Sequence, residues 1–411
     1  MRILWLNAGL LLPLDKGGKL RTWHLMRHLA RRHDITYLSF QDPSTTAAER
    51  DGMREVCSSL HVVTRHDPAK GSPGFYADAA TRVFDRLPYA AGKYRSREYR
   101  QTLERLLRTE RFDLLVCDFL VPAVNMPRTL PCPSVVFTHN VEAEIWRRHY
   151  ERQRDPIRRW LFKRQWQRML RFEADTLSRF DLALAVSDTD RTTLQGRYPT
   201  ALPQPPFVVA TGVDTTFFAP RTTGEVMPKH LVFTGSMDWI PNEDAMTHFC
   251  HDILPLIRRD EPDVTIAIVG RTPTPAVQRL ADIAGVEVTG RVDDVRDYIG
   301  RAAVYVVPIR IGGGTRLKIF EAMSMGRAVV STTVGAEGLP VTDGRDVVIA
   351  DTPSGFAHSV VALLRDTARR VQLEQAARDL VVTHYDWSAV AGQLEHALAL
   401  AADGKRTAEA A

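Results

Sequence analysis

Three glycines, two cations and a carboxylate fall within the stretch Ile311-Gly312-Gly313-Gly314-Thr315-Arg316-Leu317-Lys318-Ile319-Phe320-Glu321. The apolar run Ala302 to Pro308 precedes it and reads as a buried parallel strand. Glycines after such a strand let the backbone approach a ligand closely. The helix that follows begins with unpaired N–H groups and a positive dipole end, a setting that suits a diphosphate. Gly313, Gly314 and Thr315 supply the N–H groups, and Arg316 and Lys318 add full charge. Glu321 lies three residues beyond Lys318 and shares its helix face. A carboxylate beside a phosphate site is explained if it accepts hydroxyl protons, for instance from a ribose. The plainer alternative is a glycine-rich turn with a surface ion pair between Lys318 and Glu321.

Other candidates are scattered along the chain. Gly17 and Gly18, with Lys16, sit between a first strand and its helix, where they either cover a diphosphate or simply allow close packing. Their spacing does not make the GxGxxG dinucleotide fingerprint. His139 ends a strand, a place where a lone histidine is more often structural than catalytic. Glu142 and Glu144 nearby open a helix. Asp188-Thr189-Asp190 mimics a metal-binding DxD, but following Ser187 at a helix start it reads as a cap. No other acid or histidine cluster has metal-ligand spacing, so no essential metal is expected. Residues 147–171 hold ten Lys+Arg against two acids, with Trp160, Phe162 and Trp166 interleaved. A basic helix with aromatics suits anionic lipid headgroups, or else it is a solvated face over a core.

The elements that must carry these residues alternate. Strand patterns at Ile3–Leu6, Asp34–Phe40, Leu114–Cys117, Ser134–Thr138, Leu182–Ser187 and Val208–Ala210 enclose helical ones, of which Lys19–Arg32 is clearest. Asp214–Lys229 has little periodicity and reads as a linker. A second series follows at His230–Thr234, Val264–Val269, Glu287–Thr289, Val304–Val307, Ala328–Ser331 and Val347–Ala350. A helix after Trp387 runs to about Ala402, and Gly404–Ala411 is expected to be disordered. Two doubly wound α/β domains in tandem account for this order.

Composition bounds the rest. With 44% hydrophobic and 25% charged residues, the 411-residue chain suits a soluble protein of two or three domains. Cys57, Cys117, Cys132 and Cys250 are far apart and make neither a disulfide framework nor a zinc site, which fits a reducing cytoplasm. The apolar start is better read as a strand than as a signal peptide, and no later stretch is long enough to span a bilayer. Residues 1–207 carry 34 Lys+Arg and 23 Asp+Glu; residues 208–411 carry 20 and 26. The first half therefore favours an anionic surface. Nucleic acid is not the expected partner, because no nucleic-acid module is recognisable.

Taken together, these residues make the chain resemble GT-B glycosyltransferases of the family 4 type, also called glycosyltransferase group 1. The resemblance runs from Arg2 to about Leu400. It is carried in order by Gly17-Gly18, His139-Asn140-Val141-Glu142, Val186-Ser187, Gly212-Val213-Asp214, Phe233-Thr234-Gly235-Ser236, Val269-Gly270-Arg271, the glycine-rich helix with Glu321, and Glu337-Gly338-Leu339. Met237-Asp238-Trp239-Ile240-Pro241-Asn242 and the GGGTRLK form of the loop are most similar to sugar transferases of exosortase and exopolysaccharide systems. Many family members carry a second glutamate eight positions before Glu321; this chain has Gly313 there, which leaves the contact to the donor sugar open.

The resemblance implies two Rossmann-like domains facing a central cleft. Residues 1–213 would form the acceptor domain, 214–385 the nucleotide-sugar domain, and 386–403 a helix crossing back. It implies transfer of a sugar, with retention, from a nucleotide diphosphate sugar to a glycan or polyprenyl-linked acceptor, with no cofactor and no metal. Arg316, Lys318 and the amides of Gly313, Gly314 and Thr315 would meet the charge growing on the diphosphate. Arg316 does so only by curling back around the first turn; its alternative is a salt bridge to a neighbouring loop. Glu321 would bind the ribose, and Gly17, Gly18, Gly235, Ser236, Gly270 and Glu337 would line the donor site. His139 would hydrogen-bond the sugar or lend backbone support. Rivals are a nucleotide-sugar epimerase of the same architecture, a degenerate binding protein, and an NAD-binding protein that lacks its fingerprint. The expected location is cytoplasmic, with peripheral contact to the inner face of the plasma membrane through 147–171.

Overall fold

The computed structural model describes the chain apart from residues 16, 69–70, 83–84, 221–224, 313–315 and 410–411. It separates into two compact units, Met1–Ala210 with Val390–Ala411, and Thr211–Ala389.

The first unit holds seven parallel strands: β1 (Arg2–Leu6), β2 (Asp34–Gln41), β3 (Ser59–Thr64), β4 (Leu114–Asp118), β5 (Ser134–Phe137), β6 (Leu182–Ala185) and β7 (Phe207–Val208). Their order is β3-β2-β1-β4-β5-β6-β7. β1 and β4 are apolar on both faces because helices cover both sides, so they read as continuous Ile-Leu-Trp-Leu and Leu-Leu-Val-Cys runs. β3 carries no such signal. It is a half-buried edge strand in which Ser59 and His61 interrupt the apolar pattern, and for that reason the sequence reading passes over it.

The second unit repeats the plan with β8 (Met227–Thr234), β9 (Thr265–Val269), β10 (Val286–Gly290), β11 (Ala302–Val307), β12 (Ala328–Ser331) and β13 (Val348–Ile349), in the order β10-β9-β8-β11-β12-β13. All pairs are parallel. β11 is fully buried and sits against β8 and β12 at the centre of the apolar core. The stretch read as a linker ends early, since β8 begins at Met227.

In each sheet the chain winds outward from the middle in both directions. The reversal falls between β1 and β4, and again between β8 and β11. Parallel sheets leave a crevice beyond the strand ends at such a point.

The last helix, Trp387–Glu409, extends past the expected stop at Ala402, so the tail expected to be disordered is helical through Glu409. Its Glu395 meets Arg32 (2.8 Å) and His33 (2.9 Å), and His396 lies edge-on to Phe207. Where the chain passes into and out of the second unit it is stapled to itself. Val213 N–H donates to Tyr385 O (2.8 Å), Trp387 N–H to Val213 O (3.2 Å), and Gly212 lies against the Trp387 ring.

The basic segment 147–171 is not one helix. Asp155 caps a new start by accepting from Arg158 N–H (2.7 Å), and Pro156 occupies its first turn, so helices Glu142–Arg152 and Pro156–Leu177 form a hairpin. Stacking of Tyr150 on Trp166 and His149 on Phe162 uses most of its aromatics internally.

The helix Gly17–Leu29 starts at the two glycines themselves. A Cβ on Gly18 would come 2.7 Å from the Phe119 ring, whereas Gly17 has nothing within 4 Å. Gly17→Ala should leave the thermal midpoint unchanged or raise it, by up to about 1 kcal/mol of stability. Gly18→Ala should lower it by about 1–3 kcal/mol through overpacking. Differential scanning fluorimetry of the two variants checks the contrast; equal effects would remove the packing role given to Gly18.

Candidate active site

In the second unit the site is built where β8 and β11 part. Gly235 closes β8 and donates to Val269 O at the end of β9 (2.9 Å). Gly270 then lies so near that a Cβ there would sit 1.6 Å from Gly235 O. A Cβ on Gly235 would sit 2.6 Å from Asn242 Nδ2 and 2.7 Å from Lys318 Nζ. Bare Gly235 thus opens the space that the lysine occupies, and bare Gly270 lets the Gly235 carbonyl lie against it.

Lys318 comes from the second position of helix Leu317–Ser324, directly after β11. Its Nζ donates to Asn242 Oδ1 (3.0 Å) and lies 4.0 Å from the Phe233 ring centroid. Asn242 is buried and donates in turn to Ser236 O (2.8 Å), so the amide has its acceptor oxygen fixed toward the lysine. Burial pushes Lys318 down to about 7, against the pull of Glu321. Burial pushes Glu321 up to about 7, against the pull of Lys318. Both groups are therefore displaced toward their neutral forms by one cause, desolvation. Beneath them the Tyr305 hydroxyl pairs with Thr234 Oγ1 (2.5 Å) and is held well above its usual range by burial.

Arg316 does not lie in the first helical turn. It is the residue before it, buried, with its guanidinium 5.0 Å from the Trp239 ring and beside Gly312 and Pro241. Burial lowers its pKa and the charge of Glu337 opposes this. Glu337 itself is exposed in the loop after β12. Ser236 links two loops, donating to Asp238 (2.5 Å) and accepting from Arg271 Nε (3.1 Å). Lys16, Gly313, Gly314 and Thr315 lie outside the described residues.

In the first unit the reversal point holds a buried carboxylate that sequence reading missed. Asp118 ends β4 and is fully buried. Its Oδ2 accepts from Asn7 Nδ2 (2.7 Å), Thr22 Oγ1 (2.7 Å) and Trp5 Nε1 (3.2 Å), and its Oδ1 lies 2.6 Å from His139 Nε2. Hydrogen bonds to a charged group contribute about 1.5–3 kcal/mol each, which offsets the cost of burying it. Its one sequence signal was an acid closing an otherwise apolar strand. His139 is stacked on Phe119 with ring centroids 3.8 Å apart and 8° between planes. Burial lowers the His139 pKa, and Asp118 opposes that.

The segment after His139 is anchored by Glu173 of helix Pro156–Leu177. Its carboxylate accepts from the amides of Glu142 (2.9 Å) and Ala143 (3.2 Å) and from the Tyr198 hydroxyl (2.6 Å). The DxD lookalike is engaged in capping. Asp190 N–H donates to Ser187 Oγ (3.1 Å), and Asp188 pairs with Arg191 (2.7 Å). Among the described residues no three metal-ligating side chains are grouped to hold an ion.

The two doubly wound units, each with its site at the reversal point, define the GT-B class of fold. Residues 16–217 match the model of Glycosyltransferase Family 4 and residues 228–366 that of Glycosyl transferases group 1, which together span most of the chain. The chain belongs to this glycosyltransferase family.

It is 30% identical over 195 residues to the phosphatidyl-myo-inositol mannosyltransferase of Mycolicibacterium smegmatis, a match covering 45% of this chain and 50% of that protein. The chain thus spans about half the length of the curated relatives it matches. In fold it is similar to Anabaena HepE in complex with UDP (TM-score 0.65, 15% identity, 97% of this chain and 100% of that one). Sucrose-phosphate synthase from Thermosynechococcus elongatus is similar at the same TM-score, 0.65, with 15% identity over 96% and 98% of the two chains.

The site is held at a cost that pH should reveal. A lysine whose folded pKa is depressed below its unfolded value destabilises the fold wherever it must be charged, and the penalty fades as pH rises from about 7 toward its unfolded value near 10.4. At pH 6, where Glu321 is mostly protonated, Lys318→Met should raise the thermal midpoint by several degrees. The gain should shrink toward zero by about pH 10. A gain that does not depend on pH would contradict the assigned burial of the ammonium.

Proposed function

We propose that the protein transfers a sugar from a nucleotide diphosphate sugar, with retention, to a glycan or polyprenyl-linked acceptor in the making of an exopolysaccharide or other cell-surface glycan. The observation that carries this reading is the Lys318–Glu321 pair. Lys318, half-buried as a residue but with its ammonium desolvated, places one of its three donors on Asn242 at the start of a helix beside a glycine-rich loop. A diphosphate entering there restores its charge, and Glu321 in its ionised form accepts from ribose hydroxyls. Arg316 is the second cation, steadied by Trp239. As the leaving diphosphate gains charge, these preorganised groups meet it without reorganising. The UDP bound in the HepE structure supports a nucleotide ligand for this fold.

The acceptor reading rests on the first unit. Its hairpin presents residues 154–160 as one exposed stretch, with Arg154, Arg158 and Arg159 around Ile157 (73% exposed) and Trp160 (49% exposed). Among the described residues no helix is long and apolar enough to cross a membrane. A basic tip with two apolar anchors suits peripheral contact with an anionic, cytoplasm-facing leaflet, where a lipid-linked acceptor would lie.

Thermal shift and hydrolysis with UDP-, GDP-, ADP- and TDP-sugars test the donor site. One nucleotide class should stabilise the protein, and Lys318→Ala and Glu321→Ala should each abolish the shift. Turnover should survive EDTA. No response to any nucleotide would overturn the transferase reading in favour of a glycan-binding protein. Flotation with phosphatidylglycerol vesicles tests the hairpin: the wild type should float, and Ile157→Ser with Trp160→Ala should weaken partitioning about thirtyfold, each anchor contributing on the order of 1 kcal/mol.

A further inference from the structure

The transferase reading leaves unexplained why unit 1 packs a buried carboxylate, a half-buried aromatic residue at positive φ and a histidine against one another. Phe119 has φ 67°, a conformation a bulky side chain adopts only where the surroundings impose it. The imposing contacts are specific. Phe119 N–H donates to Phe137 O (3.0 Å), and the ring enters the gap left by Gly18 and lies flat on His139. The other neighbour of that imidazole is Phe137, at 4.9 Å. Two rings and one carboxylate thus fix its plane and its rotation.

The proton on the imidazole follows from the donors around Asp118. Trp5 offers an N–H and nothing else, and Asn7 and Thr22 each donate to Oδ2, so all three contacts at that oxygen treat it as an acceptor. Oδ1 remains for His139 Nε2, 2.6 Å away, which must therefore carry hydrogen. Arg21 is buried in the same pocket, 4.4 Å over the Phe137 ring, and donates to Val209 O and Ala210 O. A second cation close by disfavours imidazolium. The His139 side chain is only 6% exposed although the residue as a whole is half-buried, so its main chain takes the larger share of solvent. Asn140, next in the chain, is exposed.

We infer that Asp118 and Phe119 are positioning residues: they lock His139 as the neutral Nε2–H tautomer and hold the main chain of His139 and Asn140 open to solvent beyond the strand ends of the first unit. His139 is then an anchor that presents backbone, not an acid or base that exchanges protons with substrate. Glu173 fixes the far end of the same segment through the amides of residues 142 and 143. The catalytic relevance of this clamp rests on the glycosyl-transfer reading; the tautomer does not.

The experiment separates the two. Long-range 15N–1H correlation of histidine-labelled protein, with His139→Gln to assign the signal, should show an Nε2–H imidazole between pH 6 and 8. Asp118→Asn, whose amide can donate to Nε2, should shift the signal to Nδ1–H. An Nδ1–H or doubly protonated ring in the wild type would overturn the proposal whatever the enzyme acts on.

For turnover, His139→Gln keeps an amide donor at about the reach of Nε2 and should retain activity within about tenfold. His139→Ala and Asp118→Asn should each lose a hundredfold or more in kcat, the order of loss expected when a positioning group lets the reacting parts shift by about 1 Å. The nucleotide Kd should stay unchanged in all three, since the nucleotide is assigned to the other unit. Equal loss in His139→Gln and His139→Ala, with both folded, would restore proton transfer to the ring. Phe119→Gly relieves the positive φ, which offsets part of the packing it removes, and the folded variant should lose turnover; full activity in that variant would remove the ring from the clamp.

Discussion

Everything chemical in this chain depends on where two parallel sheets change direction. A strand that is followed by winding to one side and flanked by a strand wound to the other leaves its carboxyl end uncovered by connections. In the first unit this falls between β1 and β4, and the residues emerging there are Gly18, Asp118 and Phe119. In the second it falls between β8 and β11, and the residues are Gly235 and Lys318. At both places a glycine makes room for a side chain: Gly18, in the helix after β1, for Phe119 just beyond β4, and Gly235, just beyond β8, for Lys318 in the helix after β11. The same constraint, applied twice, produces two sites of different character.

The difference lies in how each handles buried charge. Asp118 is surrounded by donors and is a completed structure, rigid because each of its contacts is used. Lys318 and Glu321 are incomplete. Their pKa values converge on about 7 from opposite sides because, among the described residues, neither has enough partners to offset desolvation. An anionic ligand relieves the lysine's share of that strain, and natural proteins accept lost stability at such places. Glu173 falls between the two cases: three donors serve it, yet burial still raises it to about 7.

The hairpin made by Glu142–Arg152 and Pro156–Leu177 joins two tasks. Its inner face supplies Glu173 and the apolar residues Met169 and Phe172 to the core. Its tip carries the arginines and the exposed Ile157 and Trp160. The excess positive charge of the first half of the sequence is thus partly concentrated on one element, which is also the element that anchors the His139 segment.

How much of this was legible in the chain follows from the range of each signal. Alternating apolar strands and helices were readable because a parallel sheet buries both strand faces, and β1, β4, β8 and β11 carry that pattern locally. β3 was not, since an edge strand is only half-buried and needs no such run. Lys318 and Glu321 were readable as a spacing on one helix, and Ser187 as a cap. The break at Asp155-Pro156 was written in the sequence but outweighed by the charge pattern around it. Asn242, by contrast, lies 76 residues from the lysine it orients, and Asp118 gathers donors from positions 5, 7, 22 and 139. Arg316 left its expected helical turn because the helix begins one residue later. The sequence by itself determined the layered α/β architecture and which helix carries the cations, because those depend on neighbours within a few residues. Only the tertiary structure decided the partners of each buried charge, because a carboxylate or ammonium in a core takes whatever donors and acceptors the sheet crossing brings to it.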